Sequence, residues 1–219
     1  MVELAGKKIL VTGGTRGIGR AMVEAMAAKG AEIVLTGRDQ ATAEKIASEV
    51  SKAHGVKAAG VGAALTEEND IESLVERAAD ALSDLDVLVN NAGLDADCPA
   101  IDHKLEDWRR VLKVNLEVPF RLAQKMARHL KSRDSGGVII NVASIAGFVA
   151  LDEASSYVAS KHGLVGLTKS LALEWGPSNI RVCGIAPGLI KTDLTEYLWG
   201  NERGQAYISS KIPMRKIGL

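Results

Sequence analysis

Tyr157 and Lys161 are four residues apart, and Ser144 precedes the tyrosine by thirteen positions. On a helix, residues i and i+4 share a face. A free tyrosine titrates near pH ~10, too high for a proton shuttle at neutrality. An ammonium a few ångströms away favours the phenolate and is expected to lower that value. The pair then becomes an acid/base couple that works near neutral pH. A serine hydroxyl brought in from a strand end would hold a substrate oxygen beside it. Alone, Tyr-x-x-x-Lys is an unspecific signal, because such a pair on an exposed helix is usually solvated. Its meaning depends on the elements around it.

Those elements alternate. Ile9-Leu10-Val11, Ile33-Val34-Leu35, Val56 to Val61, Val87-Leu88-Val89, Val138-Ile139-Ile140 and Val182 to Ile185 read as short buried strands bounded by Gly, Asn or Asp. Between them lie helical stretches at about 17–29, 41–54, 67–82, 105–131 and 155–175. Near-continuous apolar strands alternating with helices predict an α/β fold, a Rossmann-type doubly wound parallel sheet in three α/β/α layers. The chain of 219 residues is read as one domain over 1–219.

The bulk numbers exclude several classes. Twenty-seven basic residues balance twenty-seven acidic ones, so no charge field invites nucleic acid or a membrane surface. No apolar run reaches the ~18 residues of a membrane span; 136–151 comes nearest, and Asn141 and Ser144 break it. Two cysteines, Cys98 and Cys183, suggest reduced thiols and a cytoplasmic protein. His54, His103, His129 and His162 have no metal-ligand spacing, so no metal is expected.

A glycine-rich turn, Thr12-Gly13-Gly14-Thr15-Arg16-Gly17-Ile18-Gly19, follows the first strand and opens the first helix. Glycines let backbone approach a ligand closely, and a helix N-terminus offers free N–H groups to phosphate. The Lys-Ser/Thr of a nucleotide-hydrolysing loop is absent. At the end of the second strand, an acidic residue would bond the ribose 2′-hydroxyl of NAD, whereas arginine suits the 2′-phosphate of NADP. Gly37 stands at the acidic position, Arg38 follows, and Arg16 lies in the glycine turn. NADP is therefore expected, with NAD as the alternative. The plainer alternative is that Arg38 is a solvated loop residue and Asp39 merely caps the next helix.

Taken together, the chain resembles the short-chain dehydrogenase/reductase family over nearly its whole length. The ordered set is the Thr12–Gly19 turn, Asn90-Asn91-Ala92-Gly93, Asn115, Ser144, Tyr157 with Lys161, and Pro187-Gly188-Leu189-Ile190-Lys191-Thr192. Within the family it is similar to 3-oxoacyl-[acyl-carrier-protein] reductases and related alcohol and sugar dehydrogenases. The resemblance implies hydride transfer between a nicotinamide and a ketone or secondary alcohol. Tyr157 would be the acid/base, Ser144 the oxyanion donor, and Lys161 the ribose ligand. Residues expected to line the cofactor are Gly13, Thr15, Arg16, Gly17, Ile18, Gly19, Arg38, Leu65, Asn91, Ala92, Gly93, Tyr157, Lys161, Pro187, Gly188, Ile190 and Thr192. Ala64 stands where relatives often carry an adenine-contacting Asp.

Asn115 completes the catalytic set. Pro119, four residues on, has no N–H for its carbonyl. That freed carbonyl is expected to anchor a proton-relay water to Lys161. The resemblance also implies a last helix and a seventh strand that this sequence lacks, leaving the sixth strand as an edge. Two helices, 105–131 and 155–175, are apolar on more than one face, which predicts a homo-oligomer built on them. Residues 189–211, with Tyr197, Leu198, Trp199 and Tyr207, are expected to form a lid over a small-molecule substrate. Two other readings remain open: an NAD-linked alcohol or sugar dehydrogenase, and a non-catalytic dinucleotide-binding sensor or structural subunit.

Overall fold

The computed structural model describes residues 4–192 and 195–218, with the backbone alone for residues 197, 198, 203 and 207. The side chains of Tyr197, Leu198 and Tyr207, expected in the lid, therefore lie outside the described residues.

The chain runs β1 (Lys8–Val11), α1 (Gly17–Ala27), β2 (Glu32–Gly37), α2 (Gln40–His54), β3 (Ala58–Gly62), α3 (Glu68–Leu82), β4 (Val87–Asn90) and α4 (Leu105–Leu112). It continues with α5 (Val118–Ser132), β5 (Gly137–Val142), α6 (Ser155–Trp175), β6 (Ile180–Ile185), α7 (Glu196–Trp199) and α8 (Glu202–Lys211). The six strands form one parallel sheet in the order β3-β2-β1-β4-β5-β6. The order reverses between β1 and β4, the crevice where such folds bind ligands.

Period-two alternation divides the core. Ile9 and Val11 of β1 pack with Val23 and Ala27 of α1 and Ala47 of α2. Leu10, between them, packs with Leu74 of α3 and Leu122 and Met126 of α5 on the other face. Both clusters are buried, so the sheet is covered on both sides as its apolar strands require.

The predicted helix 105–131 is interrupted. Residues Lys113–Glu117 form a π-helical segment between α4 and α5, and the Val118 N–H bonds the Lys113 carbonyl. The cause is Pro119, which cannot supply the α-type bond to Asn115. Such π-bulges concentrate at functional sites.

The apolar residues of these helices are mostly buried within the single chain: Val111, Val118, Leu122, Ala123, Met126 and Leu130 are all inside. Their burial therefore does not itself require a second copy. Phe120 and Leu173 remain exposed on α5 and α6. As expected, β6 lies at the sheet edge, with Arg181, Cys183 and Ile185 open to solvent. Beyond it, Gly218 pairs with the 189–191 segment, accepting from the Lys191 N–H at 2.8 Å and donating to the Leu189 carbonyl at 2.9 Å. Among the described residues, no helix is long and apolar enough to cross a membrane.

Candidate active site

The carboxyl ends of β1, β4 and β5 bring the scattered motifs together. Asn91 ties two of them: its Nδ2 donates to the carbonyls of Thr12 and Gly13, each at 3.0 Å. The Thr12 hydroxyl in turn accepts the Asn91 and Ala92 N–H groups at 3.0 and 3.1 Å. The Asn91 amide nitrogen is thus spent on holding the glycine turn.

Two glycines of that turn have a steric reason. Gly13 has φ +65°, a left-handed backbone that favours glycine. A Cβ on Gly19 would stand 2.1 Å from the Gly13 carbonyl oxygen and 2.5 Å from Asn91 Nδ2. Arg16 at the N-cap of α1 makes no side-chain cap, and the first turn has no acidic residue. The free N–H groups and positive dipole end therefore face the crevice, fitting a dinucleotide pyrophosphate. Thr192 reaches the same turn, its Cγ2 3.5 Å from where a Gly17 Cβ would lie.

At the end of β2, a Cβ on Gly37 would meet Thr15 Cγ2 at 2.6 Å, which disfavours any acidic side chain there. Asp39 accepts the Thr42 N–H at 2.7 Å and the Thr42 hydroxyl at 2.6 Å, so it caps α2. Arg16 and Arg38 are exposed and form no ion pair among the described residues. Leu65 is half-buried after β3, and the neighbouring Ala64 N–H donates to Asp70 Oδ2 at 2.8 Å. Ile18, Gly93, Pro187, Gly188 and Ile190 line the same strand-end edge, with the Ile145 N–H donating to the Pro187 carbonyl at 3.0 Å.

Tyr157 and Lys161 rise from the first turns of α6, and Ser144 sits just beyond β5. Ser144 Oγ accepts the Ala146 N–H at 3.1 Å, leaving its own proton to donate to the Tyr157 phenol. Burial pushes the Tyr157 pKa above its ordinary value; the Ser144 hydrogen bond opposes this, while Asp95 and Asp97 add to it. This corrects the expectation that Lys161 lowers it. Lys161 Nζ lies 5.5 Å from the centre of the Tyr157 ring and donates to the Val142 carbonyl at 2.8 Å. A buried ammonium seeks the nearest carbonyl, and burial depresses the Lys161 pKa to about 8, with Asp95 opposing.

Asn115 is fully buried in the π segment. Its Oδ1 accepts the Leu94 N–H and its Nδ2 donates to the Leu94 carbonyl, both at 2.8 Å. Nδ2 also donates to Ser160 Oγ at 3.1 Å, and Ser160 donates to the Tyr157 carbonyl at 2.7 Å. A Cβ on Gly93 would sit 3.4 Å from Asn115 Oδ1 and 3.8 Å from Lys161 Nζ, so Gly93 fills the gap between them.

Sequence reasoning missed several members. Thr12 and Ser160 act through hydrogen bonds that spacing does not reveal. A buried chain runs from Asn90 to Asn141 to Thr168 at 2.9 Å per step, tying α6 to the sheet. Asparagines inside apolar strands were the available signal. Asp95 and Asp97, which add to the upward shift of the Tyr157 pKa, were not singled out by type or spacing.

The family model for short chain dehydrogenases matches residues 7–203. The chain belongs to that family. The 3-oxoacyl-[acyl-carrier-protein] reductase FabG of Aquifex aeolicus is 40% identical over 217 residues, covering 99% of this chain and 86% of that protein. A short-chain type dehydrogenase/reductase from Mycobacterium marinum superposes with a TM-score of 0.91 at 32% identity, covering 99% of this chain and 84% of that one. A structure described as an NAD(P)-dependent gluconate 5-dehydrogenase of Beutenbergia cavernae, with NADP bound at low occupancy, gives 0.91 at 34%, covering 99% and 85%. This short-chain dehydrogenase is accordingly an oxidoreductase acting on CH–OH or C=O groups with NAD(P).

Proposed function

We propose that the protein is an NADP(H)-dependent reductase of ketones, or dehydrogenase of the matching secondary alcohols, with Tyr157 as the general acid/base. The observation that carries this reading is the convergence of Ser144 and Lys161 on Tyr157, beside the uncapped N-terminus of α1.

Gly13, Thr15, Gly17, Ile18 and Gly19 would cradle the pyrophosphate, and Arg16 and Arg38 the 2′-phosphate. Leu65 would lie against the adenine, Ala92 and Gly93 along the ribose, and Pro187, Gly188, Ile190 and Thr192 along the nicotinamide end. The bound nicotinamide supplies or accepts the hydride. In the reductive direction Tyr157 gives its proton to the substrate oxygen, and its burial keeps that proton in place until charge develops. Ser144, already polarised by the Ala146 N–H, donates a second hydrogen bond to the same oxygen. Lys161 would hold the ribose hydroxyls, and the backbone carbonyl of Asn115 would anchor a water through which Lys161 and Tyr157 are resupplied with a proton. Residues 189–211 cover the substrate. We further infer a cytoplasmic homo-oligomer, with Phe120 and Leu173 on the faces left exposed.

The preference for NADP rests on Arg16 and Arg38, which form no ion pair among the described residues, and on glycine rather than a carboxylate at position 37. Fluorescence titration is expected to give tighter binding of NADPH than NADH. Arg38→Ala is expected to weaken NADPH tenfold or more and leave NADH nearly unchanged. Equal affinities, unaltered by that substitution, would replace the reading with the NAD-linked one. Tyr157→Phe is expected to cost 10²–10⁴-fold in turnover of ethyl acetoacetate while cofactor binding persists.

A further inference from the structure

β3 is an outer strand of the sheet, and its carboxyl end lies beside that of β2, with Gly62 in register with Gly37. A free edge leaves backbone groups without a neighbouring strand. Here side chains take the neighbour's place. The Ala63 N–H turns inward to the Gly37 carbonyl at 2.8 Å, so Gly60 and Gly62 face outward. Gln40, in the first turn of α2, meets both. Its Nε2 donates to the Gly60 carbonyl at 3.1 Å, and its Oε1 accepts the Gly62 N–H at 2.5 Å. Nε2 also donates to Glu44 Oε1 at 2.6 Å, so two acceptors fix which way the amide faces. The amide thus does the work of a peptide unit in a further strand. From α3, Arg77 Nη2 donates to the Gly62 carbonyl at 2.8 Å and Nη1 to Asp70 Oδ1 at 3.3 Å. Asp70 Oδ2 accepts the Ala64 N–H at 2.8 Å. Three successive N–H groups, those of Gly62, Ala63 and Ala64, are therefore held.

We infer that Gln40, Asp70 and Arg77 are positioning residues for the cofactor, setting the Gly62–Leu65 backbone that receives its adenine. The inference rests on the dinucleotide-binding reading above and deepens it. That reading puts the ribose 2′-position at the end of β2, beside Arg38. The base on the same ribose then falls at the next strand end, that of β3. Gly62-Ala63-Ala64-Leu65 offers a base no polar side chain, only backbone and the half-buried Leu65. The path of that backbone therefore decides how well the ring seats. Gln40 pins it to the same helix end that follows Arg38, while Asp70 and Arg77 pin it to α3. Gln40 is itself exposed, so removing its amide disturbs this segment and not the core.

The test measures dissociation constants of NADPH and NADH by fluorescence titration in the wild type, Gln40→Ala, Asp70→Ala and Asp70→Asn, with urea denaturation alongside. Adenine is common to both cofactors, so Gln40→Ala and Asp70→Ala are expected to weaken NADPH and NADH alike, each by about tenfold. Arg38→Ala, by contrast, acts on NADPH. Asp70→Asn keeps an acceptor for the Ala64 N–H and is expected to stay within about twofold of the wild type. Dissociation constants unchanged in Gln40→Ala, with or without a loss of stability, would overturn the inference and leave Gln40 a purely structural cap on the strand edge. The cofactor reading would stand. A loss confined to NADPH would also overturn it, because Gln40 would then serve the 2′-phosphate and not the adenine. Asp70→Asn binding as weakly as Asp70→Ala would remove Asp70 from the set. If the wild type binds neither dinucleotide, the cofactor reading fails and the inference falls with it.

Discussion

Asn115 grips Leu94 from both sides, accepting its N–H and donating to its carbonyl at 2.8 Å each. One buried side chain thus sets the start of the loop that follows β4 and, through Ser160, touches the backbone of Tyr157. Asn115→Ala removes three hydrogen bonds and leaves a partly buried backbone N–H and carbonyl of Leu94 without their partner. The expected loss is about 2–4 kcal/mol of unfolding free energy. Asn115→Asp keeps an acceptor for the Leu94 N–H, yet it cannot donate to the carbonyl. It should fall between wild type and alanine in urea denaturation. Turnover measured well below the transition should drop in both, because the loop and Tyr157 lose their common anchor. An aspartate variant matching the wild type in stability and pH–rate profile would show that the clamp is unnecessary.

The difference between what sequence revealed and what it hid follows from range. The strands were legible because β-branched runs such as Val87-Leu88-Val89 have no other comfortable state. The candidate site was legible as residue types: Ser144 and the glycine turn follow strand ends, and Tyr157 lies in the first turns of α6. Pro119 announced a disturbance near Asn115, and the π segment is its local answer. The direction of the Tyr157 shift was not legible. It depends on whether the Lys161 ammonium or the protein's own burial dominates, and that is settled by the Val142 carbonyl drawing Nζ away. The role of Asn91 was hidden for a similar reason: its partners Thr12 and Gly13 lie almost eighty residues earlier.

Gly19 is the tightest point of the cofactor turn. A Cβ there would approach the Gly13 carbonyl oxygen to 2.1 Å and Asn91 Nδ2 to 2.5 Å. The first of these is backbone, so no rotamer change relieves it. Gly19→Ala is expected to cost about 3 kcal/mol or more and to abolish NADPH binding. Gly166→Ala is the control, because nothing lies within 4 Å of a Cβ there. On α6 it should be neutral or stabilise by about 1 kcal/mol through helix propensity. Calorimetry and fluorescence titration of the two variants decide the matter. A Gly19→Ala protein that melts and binds like the wild type would remove the steric argument for this turn.

Lys161 carries a cost that function explains. Its ammonium is buried, and its pKa falls to about 8 from an ordinary 10.5. That difference corresponds to about 3 kcal/mol against folding when the lysine is charged. The sign follows from proton counts. Below pH 8 both folded and unfolded chains hold the proton, and the penalty is complete. Between pH 8 and 10.5 the unfolded chain holds more protons, so stability rises with pH and the penalty fades. Lys161→Met removes the charge and keeps the volume, while giving up the hydrogen bond to Val142, worth about 1 kcal/mol. The net expectation at pH 7 is a gain of about 2 kcal/mol, or about 4–8 °C in Tm for a chain of this size. The gain should shrink as the pH is raised towards 10. On the proposed mechanism, activity should be lost in the same variant, since Lys161 is the residue assigned there to the ribose and to the supply of protons to Tyr157. Thermal unfolding across this pH range tests it, and a variant less stable than the wild type at pH 7 would mean that the buried ammonium supports the fold.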